Sequence, residues 1–219
     1  MEYDTEEQQV EALKEWWAEN GKAVVAGVVL GGALIGGWTF WKGHQEKQVV
    51  AASDTFSLTM EAIDTSDSER ALELASQLQE ELPKHLYAAY ANFAAARVAV
   101  ENNDLQEAAD RLQWVVDNAR QKDVQVIAKV RLARVLGATG DVDAALASLP
   151  NGFPESFAGL VEEARGDLLF LSGDVDGART AYEAASASQN VANREGLDMK
   201  LNDLALPAEP VESASESAS

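Results

Sequence analysis

No cysteine occurs anywhere in this chain, which excludes disulfides, thiolate catalysis and zinc–thiolate sites. Histidine is almost missing too. His44 and His85 are the only two, so the side chain that most often serves as general acid or base is scarce. Proline is sparse between Pro83 and Pro150, and strand-like alternation of apolar and polar residues is hard to find. The fold class that remains is all-α. Basic residues are also in short supply: 17 Lys and Arg stand against 37 Asp and Glu, a formal charge of −20 with a pI near 4.3. Phosphate binding requires clustered Lys and Arg, so nucleic acid is excluded as a partner, and the domain is not expected to lie on anionic lipid. Acidity of this kind is more often a solubility device than a binding site.

Chemical motifs are equally thin. No set of nucleophile, base and orienting group can be assembled from neighbouring residues. "DVD" occurs at Asp141/Asp143 and Asp174/Asp176. A calcium loop, however, requires glycine at position 6 and glutamate at position 12. Counted from Asp174, the glycine falls at Gly177, too early, and the twelfth position is Ala185. The only glycine-rich run, "GVVLGG", lies within an apolar stretch where a phosphate loop cannot work. The expectation is a non-enzyme with no cofactor and no metal; an enzyme whose site is assembled only in space is the alternative class.

What the chain does have is the stretch "KAVVAGVVLGGALIGGWTFWK", Lys22 to Lys42. From Ala23 to Trp41 it carries no charge, and a helix of that length covers about 28 Å, close to the hydrocarbon thickness of a bilayer. Trp16, Trp17 and Lys22 stand at one end, with Trp38, Trp41 and Lys42 at the other. These are interface anchors, because an indole is apolar over its body and polar at its N–H. A cleaved export signal would have a basic start and a shorter apolar run; this segment begins acidic. The residues therefore predict a permanent single-pass anchor. They do not orient it, since Lys14 and Lys22 before the span balance Lys42 and Lys47 after it. Within the span, Gly27 and Gly31 are spaced i, i+4, as are Gly32 and Gly36. Such spacing clears side-chain bulk from one helix face, read here as a Gly27/Gly31/Gly32/Gly36 side, for a second helix to approach, although glycine is also simply common in membrane helices.

Beyond the span three segments repeat. With Asp104, Asp141 and Asp174 in register, Ala108, Ala145 and Ala178 follow four residues later, and Leu112, Leu149 and Tyr182 four further. Ala96, Ala133 and Gly166 lie twelve residues before those alanines. The units are 37 residues apart (104 to 141) and then 33 (141 to 174). Small residues on both helices permit close antiparallel packing, Gly140 and Gly173 can take a positive φ at the turn, and each aspartate caps the helix after it. The pattern resembles the tetratricopeptide repeat (TPR), a helical hairpin of about 34 residues; a plain helical bundle is the alternative.

The flanks complete the plan. Ser66 and Glu69 in "SDSE" form a capping-box pattern opening a divergent first unit, preceded by the helix around "FSLTMEAI". "REGLDMKLNDLAL" supplies a closing helix. Near the start, Thr5 and Gln8 have capping-box spacing, and Val10, Leu13 and Trp17 share one helix face. This predicts a short interfacial helix continuous with the span, with a docking site for a partner as the other reading. The expected organisation is a short acidic segment with an amphipathic helix over 1–22, a transmembrane helix over 23–41, a TPR-like domain over 42–206 and a disordered acidic tail over 207–219.

The run "VEALKEWWAENGKAVVAGVVLGGALIGGWTFWKGHQ", followed by a TPR-like domain of this length, resembles the YfgM family, the ancillary subunits of the bacterial SecYEG translocon. The likeness is strongest from Val10 to Gln45 and again over "RLARV" and "GDVDGARTAYEAA". What the resemblance implies is a type II protein of the bacterial inner membrane, with its C-terminal domain in the periplasm. It implies SecYEG and PpiD as partners and a role in passing newly translocated client proteins to periplasmic chaperones. The family offers no catalytic motif to carry over. Because the lysine count is tied, a membrane-tethered cytoplasmic TPR scaffold is the alternative.

Overall fold

The first proline of the chain is Pro83, and nothing before residue 65 obliges a helix to stop. In the computed structural model, which describes residues 6–191 and 193–205, a single helix α1 accordingly runs Glu6–Asp64. Thr5 of the expected capping box and the acidic tail after 206 lie outside the described residues. The chain divides into two compact units at Ala51/Ala52. The first contains the apolar part of α1, the one helix long and apolar enough to cross a membrane among the described residues, with none of its apolar window buried in protein. Its one hydroxyl, on Thr39, donates to the carbonyls of Ile35 and Gly36 at 3.0 Å, so the helix satisfies this polar group by itself, as a lipid environment demands.

The second unit begins with the last turns of α1 and continues through α2 (Ser68–Glu81), α3 (Leu86–Glu101), α4 (Leu105–Asn118), α5 (Lys122–Ala138) and α6 (Val142–Ser148). A short 3-10 turn, Glu155–Phe157, leads into α7 (Ala158–Leu171), α8 (Val175–Ala187) and α9 (Arg194–Ala205). No strand occurs among the described residues. From α2 onward each helix packs chiefly on its sequence neighbours, with α5 also touching α3 and α7, the nearest-neighbour pattern of a stacked repeat.

Four turns in this unit are built alike. At Asp67, Asp104, Asp141 and Asp174 the backbone N–H donates to the carbonyl five residues back: Ala62 at 2.8 Å, Ala99 at 2.8 Å, Leu136 at 3.2 Å and Leu169 at 2.9 Å. The residue before each aspartate sits at positive φ: Ser66 (60°), Asn103 (59°), Gly140 (89°) and Gly173 (86°). It donates to the carbonyl three residues back. This is the Schellman closure of one helix. The same aspartate then opens the next helix, accepting from the backbone N–H three residues on, at 3.2, 3.1, 3.0 and 2.9 Å respectively.

There are thus four equivalent hairpins, one more than the three segments aligned by sequence. The first pairs the end of α1 with α2, and its cap is Asp67 rather than the expected Ser66, which instead occupies the left-handed turn position. Counting back twelve from Ala71 reaches Thr59, the counterpart of Ala96, Ala133 and Gly166. It is fully buried, with its hydroxyl donating to the Thr55 carbonyl at 2.8 Å. Asn92 is likewise fully buried, its amide donating to the Ala88 carbonyl. Its Oδ1 faces Arg111 of α4, which also donates to Ser76 Oγ at 2.9 Å and so joins the first hairpin to the second.

Helix α9 closes the array. Leu197 and Leu204 bury against Ala178, Tyr182 and Ala185. The Tyr182 ring lies over Gly166, where a Cβ would collide with it, and its hydroxyl donates to Asp167 Oδ1 at 2.9 Å. Lys200 Nζ reaches Glu163 and Asp167 at 2.7 Å each. Burial works against the Lys200 charge, but the hydrogen bonds and attraction from Asp167 and Glu163 outweigh it and leave the pKa above its ordinary value. Burial first, then the bond to Asp167 and the two neighbouring carboxylates, raises Tyr182 as well.

Two predictions follow from this construction. A serine in the left-handed region is strained by roughly 1 kcal/mol relative to glycine. Thermal unfolding followed by circular dichroism should therefore rank Gly140→Ser below the parent chain and Ser66→Gly above it; unchanged melting in both would refute the equivalence of the turns. The second concerns pH. Protonated Lys200 and neutral Tyr182 are favoured by the fold, so their contribution is complete below the unfolded-state values near pH 10. It is lost as pH rises through the higher folded-state values. Calorimetry between about pH 8 and 11 should show a steeper alkaline loss for the parent than for a Tyr182→Phe/Lys200→Met variant. Parallel losses would show that these groups do not carry the effect.

Candidate membrane span and peptide groove

The interface residues fall at the two ends of the apolar part of α1. Trp16 and Trp17 are half exposed with ring centroids 6.4 Å apart, and Trp38 and Trp41 pair at 5.4 Å. Lys22 is exposed, and Lys42 approaches Glu46 at 3.9 Å. A Cβ added at Gly27, Gly31, Gly32 or Gly36 would meet no atom within 4 Å. The four glycines do not form one side, however. Successive residues turn by about 100° in an α-helix, so two positions five apart, such as Gly27 and Gly32, differ by roughly 140°. The sequence reading of a single glycine side is corrected accordingly: Gly27/Gly31 and Gly32/Gly36 are two separate small-residue faces.

In the hairpin unit the repeat-packing positions Ala96, Ala108, Ala133, Ala145 and Ala178 are at most 3% exposed, and Gly166 is buried. The residue after each small position of the first helices lies one step round the helix from the core. These residues are Met60, Arg97, Arg134 and Asp167. Met60, Arg97 and Arg134 line one hollow of about 590 Å³ formed by the end of α1, α3 and α5, together with Phe56, Tyr90 and Phe93. Asp167 lines an adjoining hollow of about 350 Å³ with Phe170, Leu171 and Lys200. The two meet at the Arg134–Asp167 pair, 3.9 Å apart.

The charge of the larger hollow runs against that of the chain. Its wall contains Arg97, Arg131 and Arg134 and no carboxylate. Arg97 is paired with Glu101 at 3.5 Å, an exposed contact of little energetic weight. Arg131 makes no ion pair among the described residues; its guanidinium sits 4.6 Å above the Phe93 ring. Burial and then the neighbouring Arg134 lower its pKa from the ordinary value. Sequence reading had not singled out these arginines. The available signal was their register, since Arg97 and Arg134 occupy the same repeat position.

Neither histidine faces this hollow. His85 caps α3, its Nδ1 accepting from the Tyr87 N–H at 3.3 Å, and His44 contacts Gln48 on α1. Asp141 and Asp174 of the "DVD" motifs serve as caps. No group of three His, Asp or Glu that could hold a metal occurs among the described residues.

Comparison with known proteins agrees with this architecture. The profile of the tetratricopeptide repeat-like domain family matches residues 14–206. An ancillary SecYEG translocon subunit of Escherichia coli K12 is 36% identical over 206 residues, covering 93% of this chain and 98% of the relative. Proteins with the same description from Haemophilus influenzae and Neisseria gonorrhoeae are 29% and 30% identical, each covering 91% of this chain and 97% of the relative. No solved structure matches it. With one apolar helix of spanning length leading into four helical hairpins, the chain belongs to the tetratricopeptide repeat-like family of ancillary SecYEG translocon subunits.

Proposed function

We propose that this protein is a non-enzymatic ancillary subunit of the SecYEG translocon, anchored in the inner membrane by residues 23–41, with its hairpin domain in the periplasm. There it works with PpiD to pass newly translocated polypeptides to periplasmic chaperones. The observation that carries the reading is the end-to-end likeness to the E. coli ancillary subunit, 93% of one chain against 98% of the other. The architecture supports it: a stack of helical hairpins offers an extended binding surface, and the apolar helix that leads into it carries paired tryptophans suited to a membrane interface. Docking on the translocon runs laterally through one of the two glycine faces of α1, where small residues allow a second helix to approach.

Topology is the first test. The chain contains no cysteine, so Asn151→Cys, in the exposed turn before Pro154, provides a single thiol. A maleimide that crosses the outer but not the inner membrane should label it in intact cells; labelling only after lysis would favour a cytoplasmic scaffold. Docking is tested by co-purification with SecYEG. One of the pairs Gly27→Leu/Gly31→Leu and Gly32→Leu/Gly36→Leu should reduce recovery by about ten-fold, as expected for loss of a close helix contact, while the other leaves it near the parent level. Full recovery with both pairs would reject lateral docking through glycine.

A further inference from the structure

The larger hollow has a composition that the chain as a whole does not share. Acidic residues outnumber basic ones by 37 to 17, yet the wall formed by α1, α3 and α5 gathers three arginines and no Asp or Glu. Between them lie apolar and aromatic groups, among them Phe56, Phe93 and Tyr90, the last 43% exposed. A cation left without a carboxylate in a strongly acidic protein is a point where an incoming carboxylate gains, because the net charge of the chain as a whole repels it. Arginine in particular presents a planar fork that grips a carboxylate through two parallel bonds.

We infer that this groove binds an extended polypeptide segment in which apolar side chains alternate with or adjoin carboxylates, the apolar groups seating on Phe56 and Tyr90 and a carboxylate on Arg131, which the buried Phe93 ring supports from beneath. The inference rests on the reading of this domain as a polypeptide-binding module and adds the chemistry it selects. Residues two apart on an extended strand point the same way, so an alternating segment can direct its carboxylates to Arg131 on α5 and its apolar groups to Phe56 on α1 and Tyr90 on α3. The adjoining hollow, entered past the Arg134–Asp167 pair, is apolar at Phe170 and Leu171 but carries Asp167 and Asp203. Lys200 shares that hollow and is bonded to Asp167, so the cation there is already paired, unlike Arg131. Arg131 already holds its position over the Phe93 ring, so little ordering remains to oppose binding.

The test uses the full chain in nanodiscs of neutral lipid and fluorescence anisotropy of a labelled peptide alternating leucine or phenylalanine with glutamate. The same peptide with lysine in place of glutamate is the comparison. The glutamate probe should bind at least about ten-fold more tightly, as one charge-assisted bond allows. Arg131→Gln should remove most of that preference, and Arg131→Glu should reverse it toward the lysine probe, an outcome that misfolding cannot produce. Equal binding of both probes, or an unchanged preference in Arg131→Gln, would overturn the proposal. So would loss of glutamate-probe binding in nanodiscs of anionic lipid, which would assign the arginines to headgroups. Co-purification with SecYEG is measured in parallel: retained co-purification with no probe preference rejects the groove chemistry alone, whereas its absence in the parent chain rejects the broader functional reading.

Discussion

The hairpin unit depends on a single aspartate used twice. At each of four turns its backbone N–H closes the helix behind it and its carboxylate opens the helix ahead. A turn that satisfies both helix ends with one residue is short, and its shortness forces the two helices together. They can approach only if the facing positions are small. That is why alanine, glycine or a back-bonded threonine recurs twelve residues before the next buried alanine. Where glycine is used, the space is claimed at once: the Tyr182 ring occupies the place of a Cβ at Gly166.

Register then decides what the surface presents. Because the small position is fixed against the partner helix, the next residue is rotated away from that contact, and it is the same kind of site in every unit. Met60, Arg97, Arg134 and Asp167 form a ladder whose chemistry changes from apolar through cationic to anionic as the array proceeds. The caps that build the fold also remove carboxylates from consideration as ligands. Asp141 and Asp174 of the "DVD" motifs are committed to helix N-termini. Positive charge in the groove therefore stands out against an acidic background.

Much of this was legible in one dimension, and the illegible parts have definite reasons. Asp104, Asp141 and Asp174 announced their turns because each is followed at fixed distances by small and large residues. The first hairpin was harder to read. Its left-handed position is Ser66 and its small position Thr59, both of which depart from the commonest residue types, and its first helix is merged into α1. Capping-box spacing pointed to Ser66 because side-chain type alone cannot distinguish the residue that closes one helix from the one that opens the next. The two glycine pairs of the span read as one side because i, i+4 spacing was counted within each pair and not between them.

By itself the sequence determined that the chain is helical, that one stretch is long and apolar enough to cross a membrane, and that the remainder repeats as capped hairpins. These features depend on periodicity, charge and short-range capping, all of which lie within a few residues along the chain. Tertiary structure alone decided that Arg131 stacks on Phe93 from a neighbouring hairpin, that Arg97, Arg131 and Arg134 share one wall, and that Lys200 reaches back to Glu163 and Asp167. Apart from the neighbours Arg131 and Arg134, these residues come together from more than thirty positions apart. Their geometry follows from how the hairpins stack, which no local pattern encodes.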